Sequence, residues 1–243
     1  MRALFLVLAL TGWTAGPGAA AVPQPIAPAA VVVLVPGSGF NGAGTANADR
    51  MSIRLGSWRR WGFRTRVAAY RAGKAGLTDV MRTVRRAHRG APDVPLCVYG
   101  ESSGGTWALL TASRTPDVDC VVALAAVTDQ ETLADSPFRR ARHLGATMWP
   151  RRFGAADEDN GWEPYDVWGA MTVAVPALLG YSEGDRTVPP QQGRIFAPVA
   201  PEAELRVLRA GPHRFVHARV DAADFVALRR AARALVVAQT TSP

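Results

Sequence analysis

A serine framed by glycines is the most distinctive chemical feature of this 243-residue sequence. The segment Gly100-Glu101-Ser102-Ser103-Gly104-Gly105 follows a predicted strand and precedes a predicted helix. A nucleophile on such a tight turn needs small residues two positions before and after it, and Gly100 and Gly104 meet that need. The turn exposes the Ser102 hydroxyl for attack on a carbonyl carbon. It also directs the backbone N–H of Ser103 towards the carbonyl oxygen, which becomes negative during the attack.

A carboxylate and a histidine follow the serine along the chain. Asp185 comes after an apolar stretch and shortly before a Val-Pro pair, whereas the rival acid, Glu183, lies nearer the predicted strand. His213 follows another short predicted strand, on the loop 209–215. We therefore expect His213 to act as the general base and Asp185 to orient it. The other histidines have less positional support; they are His88, His143 and His217.

A second glycine-rich loop is predicted to complete an oxyanion hole. It follows Val31–Val35, a β-branched run that is apolar on both faces and typical of a buried parallel strand. In this loop, either Ser38 or Gly39 could donate the second backbone N–H. The alternative is a generic glycine-rich turn, since Pro36 stands where such loops carry a histidine.

Strands and helices alternate along the rest of the chain, which predicts an α/β fold with a mostly parallel sheet and helices on both faces. Predicted strands cover 31–35, 64–70, 94–99, 118–127, 173–179 and 204–208, and predicted helices cover 46–61, 77–88, 106–113 and 222–238. The interval 129–168 breaks this rhythm and predicts a small cap over the site. Its tryptophans either form the core of the cap or line an acyl pocket; they are Trp149, Trp162 and Trp168.

These motifs together resemble the alpha/beta-hydrolase superfamily over 31–238, in which the chain order is Ser, Asp, His. The serine turn, residues 100–105, corresponds to the nucleophile elbow of this superfamily. Its sequence is similar to those of esterases and prolyl-oligopeptidase-like enzymes. Val127-Thr128-Asp129 and Pro176 are similar to the latter and to dienelactone-hydrolase-like enzymes. The resemblance implies a small alpha/beta-hydrolase domain over 31–243 that lacks the first two strands of the family.

The expected activity is hydrolysis of an ester by a carboxylesterase or lipase-like enzyme, acting on a small-molecule or lipid-like acyl substrate through an acyl-enzyme. A serine exopeptidase or another amide or thioester hydrolase is the alternative within the same chemistry. A catalytically silent hydrolase fold used for binding is the alternative from a different class. We expect no metal and no cofactor, because the histidines and cysteines lack ligand spacing.

The N-terminus predicts export. Met1-Arg2, an apolar run over 3–10 and small residues up to Ala21 form the pattern of a signal peptide, 1–21, so we expect a secreted protein. The apolar run is too short for a membrane anchor. A disordered apolar N-terminus of a cytosolic enzyme is the alternative. Residues 22–30, rich in proline and alanine, predict an extended lead-in.

The net charge of +8 comes from scattered arginines without a recognisable nucleic-acid-binding motif, so we expect no nucleic-acid partner. We expect a monomer or weak oligomer. Cys97 and Cys120 lie near the starts of two strands that this fold makes neighbours. They could form a disulfide in an exported protein or remain two buried thiols.

Overall fold

A single parallel sheet organises the part of the chain that the computed structural model describes, which is residues 29–44, 58–148, 173–209 and 223–241. Its six strands lie in the order β2-β1-β3-β4-β5-β6, and every neighbouring pair is parallel. The strands are β1 (Val31–Val35), β2 (Arg64–Val67), β3 (Leu96–Glu101), β4 (Cys120–Leu124), β5 (Ala177–Ser182) and β6 (Ala203–Leu208). The prediction of an α/β fold with a mostly parallel sheet is confirmed.

The described helices are α1 (Lys74–Arg89), α2 (Ser103–Arg114), α3 (Gln130–Ala134), α4 (Arg139–His143), α5 (Gln191–Phe196) and α6 (Ala223–Thr240). A π-helical turn, Leu144–Met148, continues α4, and a 3₁₀ turn, Ala197–Val199, continues α5. Residues 58–60 are also helical, whereas most of the predicted helix 46–61 lies outside the described residues. No described helix is both long and apolar enough to cross a bilayer.

Helices cover both faces of the sheet, as neighbouring residues of β5 demonstrate. A Cβ on Gly180 would lie 3.1 Å from the Leu228 side chain of α6, whereas a Cβ on Gly193 of α5 would lie 2.4 Å from the Tyr181 ring. Successive side chains of a strand point to opposite faces. The helices α5 and α6 therefore pack on opposite faces of the sheet.

Burial of the strands follows their position in the sheet. The four inner strands, β1, β3, β4 and β5, are buried along their whole length. On the edge strand β2, by contrast, exposed Arg64 and Arg66 alternate with less exposed neighbours. Continuous apolar runs thus mark strands covered on both faces, and the alternating run marks an edge.

Several predicted boundaries shift for local reasons. The fifth strand begins at Ala177 instead of 173, because Pro176 has no N–H to donate and contributes only its carbonyl, which accepts from Val121 N at 3.0 Å. The fourth strand ends at Leu124 instead of 127, because Ala125 adopts a left-handed conformation with φ 48°. Only 64–67 of the predicted strand 64–70 belongs to the sheet; Tyr70 instead pairs with Ala43 in an isolated antiparallel bridge.

A disulfide joins Cys97 and Cys120, which the sequence leaves open between a bond and two thiols. The two residues are direct partners in the register of β3 and β4, with their Cα atoms 4.6 Å apart, and both are buried. The bond therefore links the strand that carries the serine turn to its neighbour.

The turn from β3 to α2 brings backbone atoms unusually close together. A Cβ on Gly100 would lie 2.1 Å from the carbonyl oxygen of Gly104, and a Cβ on Gly104 would lie 2.2 Å from the carbonyl oxygen of Val35. Both obstacles are backbone atoms, which cannot rotate away as a flexible side chain can. The two glycines are therefore a steric requirement of this turn.

We expect Gly100→Ala to lower the free energy of unfolding by about 3 kcal/mol or more, because the added methyl group forces the Gly104 backbone to move. Gly90→Ala is the matched control, since that glycine has φ −82° and its nearest obstacle is 3.5 Å away. Chemical denaturation of the two variants and the parent measures the difference. Equal stability of the two variants would show that the turn tolerates a side chain at position 100.

Candidate active site

The loops that follow β1 and β3 meet at one edge of the sheet. From β1 the chain passes to β2 on one side and then crosses to β3 on the other, which leaves a crevice at the carboxyl ends of β1 and β3. A Cβ on Gly37 would lie 2.9 Å from Ser102 Cβ and 2.7 Å from the Glu101 carbonyl oxygen. The structure thus brings together the two glycine-rich motifs that the sequence singles out.

Ser102 lies on the turn in a conformation that few L-residues adopt, with φ 52° and ψ −126°. Its N–H donates to the Leu124 carbonyl at 2.7 Å, and its own carbonyl accepts from Gly105 N at 2.8 Å. Such backbone strain costs about 1–3 kcal/mol and persists only where the surroundings enforce it. Here the β3–β4 ladder on one side and the start of α2 on the other enforce it.

The loop after β1 offers one backbone donor more readily than the other. The N–H of Ser38 donates to Ser103 Oγ at 2.9 Å, so this donor already has an acceptor. The N–H of Gly39 makes no hydrogen bond within the described part of the chain, and Gly39 lines the same cavity as Ser102. Of the two donors that the sequence leaves open, the geometry therefore favours Gly39.

Tyr70 holds the loop after β1 in place through its hydroxyl group, and the sequence analysis missed this residue. Its hydroxyl donates to the Pro36 carbonyl at 2.5 Å and lies 3.2 Å from Ser38 Oγ. Burial raises the pKa of Tyr70, against the opposing effect of hydrogen bonds with Ser38 and Ser103, so the phenol keeps its donor proton at neutral pH. Its position at the end of a predicted strand next to β1 was the only signal in the sequence.

The carboxylate of Asp185 is fully buried just past β5. Its Oδ1 accepts from the backbone N–H of Thr187 at 2.8 Å and of Val188 at 2.9 Å. Glu183 instead has a side chain that is 46% exposed and forms an ion pair with Arg194. The structure therefore places the Asp185 side chain in a fixed internal position and Glu183 at the surface.

Buried polar groups hold the loop after β4 against α5. The side-chain oxygen Oε1 of Gln192 accepts from the backbone N–H of Thr128 and of Asp129, both at 2.8 Å. The Tyr181 hydroxyl donates to the Ala126 carbonyl at 2.8 Å. Burial raises the pKa of Tyr181, and the negative charge of Asp185 raises it further, which keeps this phenol neutral. Gln192 and Tyr181 carry no sequence signal of this role.

A cavity of about 550 Å³ opens above the serine. Its lining residues come from the two glycine-rich loops, from the loop after β5 that contains Asp185 (the acid loop), and from α4 with the turn that follows it. They are Gly39, Ser102, Arg139, Arg140, His143, Leu144 and Thr187. The helix α4 lies in the interval predicted as a cap, and its residues line this cavity. The position of His143 in the cavity wall makes it a candidate for the general base, which the sequence alone did not indicate.

Several predicted features lie outside the described residues. They are His213, His217, the tryptophans of the cap (Trp149, Trp162 and Trp168) and the N-terminal segment 1–28. His88 is described and lies on α1, where it is 3.9 Å from an Asp117 carboxylate oxygen. Within the described ranges, no group of three or more His, Cys, Asp or Glu residues could hold a metal ion.

Comparison with known proteins shows similarity at the level of structure. No protein-family model matches the sequence, and no curated protein matches it. An esterase from Pyrobaculum calidifontis superposes with a TM-score of 0.70 at 17% identity, covering 88% of this chain and 77% of that one. The esterase Est2 from Thermogutta terrifontis gives 0.63 at 19% identity, covering 89% and 85%. Esterase B from a Lactobacillus gives 0.67 at 15% identity, covering 86% and 76%.

At identities this low, the superpositions inform on the fold alone. All three proteins are esterases, and each superposition covers 86% or more of this chain, whose sheet is parallel and flanked by helices. The chain therefore has the alpha/beta-hydrolase fold.

Proposed function

We propose that this protein is an exported serine hydrolase that cleaves carboxylic esters, with Ser102 as nucleophile, His213 as base and Asp185 as the orienting acid. The observation that carries the proposal is the strained left-handed backbone of Ser102 at the base of a cavity, with a buried carboxylate on a neighbouring loop. Strain of this kind concentrates at functional sites. The esterase neighbours support the same reaction class.

In the proposed reaction, Ser102 Oγ attacks the ester carbonyl carbon while its proton passes to His213. The resulting oxyanion accepts hydrogen bonds from the backbone N–H groups of Ser103 and Gly39. The bond from carbon to the alkoxy oxygen then breaks, and the alcohol leaves with the proton held by His213. Water attacks the acyl-enzyme with His213 again as base, releasing the acid and regenerating Ser102.

The end of β6 supports His213 as the base. The Leu208 carbonyl accepts from Glu183 N at 2.9 Å, so the chain leaves β6 beside the acid loop. His213 follows five positions later, which keeps it within about 17 Å of Leu208 even in a fully extended chain.

Export is part of the proposal and has two supports. The segment 1–21 has the charged, apolar and small-residue regions of a signal peptide in order. A disulfide joins Cys97 and Cys120, and such bonds persist mainly in oxidising compartments.

We expect Ser102→Ala to abolish both the hydrolysis of p-nitrophenyl butyrate and labelling by a fluorophosphonate probe, because no other residue replaces the attacking oxygen. Asp185→Asn should lower kcat by about 10⁴-fold, by favouring the wrong histidine tautomer. Ser113→Ala and Glu183→Gln are the controls, since neither residue borders the cavity. Labelling retained in Ser102→Ala would refute the proposal, whereas labelling without ester turnover in the parent would indicate a peptidase.

The identity of the base can be tested separately. We expect His213→Ala to lower kcat for p-nitrophenyl butyrate by at least about 10³-fold, because the Ser102 proton loses its acceptor. His143→Ala changes only the cavity wall, so its kcat/KM should fall less than about tenfold, the range expected when a contact outside the proton transfer is lost. The reverse ranking of the two variants would assign the base to His143.

Tyr70 should matter through the loop that it holds. We expect Tyr70→Phe to lower kcat about tenfold with KM nearly unchanged, less than the 10²–10³-fold loss typical of a direct oxyanion donor. Tyr181→Phe removes a similarly buried phenol bonded to a backbone carbonyl elsewhere, so it controls for lost stability. If both variants lose kcat in proportion to their loss of stability, Tyr70 has no specific role in the oxyanion loop.

A further inference from the structure

We propose that the cavity above Ser102 is an anion-selective substrate site, in which Arg139 and Arg140 bind a carboxylate or phosphate carried by the ester. This inference rests on the proposed function, since it names the class of ester that the enzyme hydrolyses. It arises from the charges of the cavity wall, which neither the fold nor the triad requires.

The lining of the cavity is strongly one-sided in charge. Two of its seven described lining residues are arginines and none is acidic. Both arginines come from α4 and line the same cavity as Ser102, which lies on the turn after β3. A substrate whose carbonyl lies at Ser102 can therefore extend its other end towards the two guanidinium groups.

Neither guanidinium is committed to another partner within the described residues. No hydrogen bond or ion pair joins Arg139 or Arg140 to a described carboxylate, whereas Arg71 and Arg194 each form an ion pair with one. On the same helix, Arg142 donates to the carbonyls of Ser136 and Pro137, both at 2.8 Å. Arg142 thus has a structural role, whereas Arg139 and Arg140 have no such partner among the described residues.

Three described acids near the site have partners of their own. Asp185 is buried and accepts from two backbone N–H groups, as described above. The carboxylate of Asp129 accepts from the backbone N–H and the hydroxyl of Thr132, both at 3.1 Å, at the start of α3. Glu183 forms an ion pair with Arg194. Their charges are directed to these partners and not to the cavity.

A third guanidinium lies beside residues that are next in sequence to the cavity lining. Arg186, which follows the acid, lies over the Phe138 ring at 5.9 Å, immediately before α4 begins. A cleft with one sign of charge and low-dielectric walls concentrates ligands of the opposite charge. The overall charge of +8 acts in the same direction.

The helix that carries the arginines is anchored to the protein. Ala141 and Leu144 are buried, and the carbonyl of Gly145 accepts from Gln130 Nε2 at 2.8 Å. A Cβ on Gly145 would lie 2.5 Å from the backbone nitrogen of Ala134, so α3 and the end of α4 are in close contact. The arginine side chains therefore extend from a fixed base, which reduces the entropy lost when they bind an anion.

The inference can be tested with matched esters that differ only in charge. On the acyl side, the pair is p-nitrophenyl hydrogen adipate and its neutral adipamate, with p-nitrophenyl 5-phosphonopentanoate to distinguish phosphate-type from carboxylate-type anions. On the alcohol side, the pair is 4-carboxyphenyl and 4-carbamoylphenyl butyrate. We expect kcat/KM to favour the charged member of at least one pair by about 10- to 100-fold, the range expected for hydrogen bonds to charged groups.

The double variant Arg139→Gln/Arg140→Gln should lose this preference while still hydrolysing the neutral esters. Arg85→Gln/Arg86→Gln is the control for net charge, because it also removes two positive charges and both residues are exposed near the far end of α1. The preference should also decrease as ionic strength rises, since salt screens the attraction. Protection of Ser102 from fluorophosphonate by adipate, but not by adipamide, gives a second readout that does not depend on turnover.

Three outcomes would overturn the inference. Turnover of neutral esters with no preference in either pair would leave the ester hydrolase in place and refute the anion site. A preference that survives in the double variant would place its origin elsewhere. Absence of both turnover and Ser102 labelling in the parent would instead refute the proposed function, and the substrate class with it.

Discussion

The close approach of the backbone around Ser102 is the constraint on which the rest of the site depends. The turn after β3 has room for the loop after β1 only because Gly37, Gly100 and Gly104 lack side chains. Each missing Cβ would meet a main-chain oxygen within 2.7 Å. This close approach brings the serine hydroxyl, the start of α2 and the N–H groups of the loop after β1 together in one small volume. Parallel pairing of β1 with β3 maintains that convergence.

Support for this arrangement comes from layers of progressively more distant groups. Ser103 Oγ holds the N–H of Ser38, and Tyr70 holds the carbonyl on the other side of the same loop. The segment after Tyr70 is held in turn, because Arg71 forms an ion pair with Asp79 of α1 that keeps the pKa of Asp79 below its usual value. The disulfide connects β3 to β4 at the opposite end of the strands. Rigidity near the serine therefore has several independent sources.

The sequence predicts the order of the elements, the parallel sheet and the convergence of the two glycine-rich motifs, because these depend on local patterns. Apolar runs mark buried strands, and glycine spacing marks a crowded turn. The sequence predicts the ends of strands and helices less well. Ala125 ends β4 by adopting a left-handed conformation, which an alanine in a sequence does not indicate. Tyr70 and Gln192 were missed for a related reason. Their roles arise from contacts with residues 32 to 64 positions away, which no local pattern records.

The charges of the site fit a division of roles between its two sides. On the strand side, the carboxylate of Asp185 is buried and held by backbone N–H groups, which fits the orienting role proposed for it. On the α4 side, positive groups face the cavity without described partners. A negative substrate group would be repelled by the first and attracted by the second. This asymmetry would therefore set the direction in which an anionic ester enters the cavity.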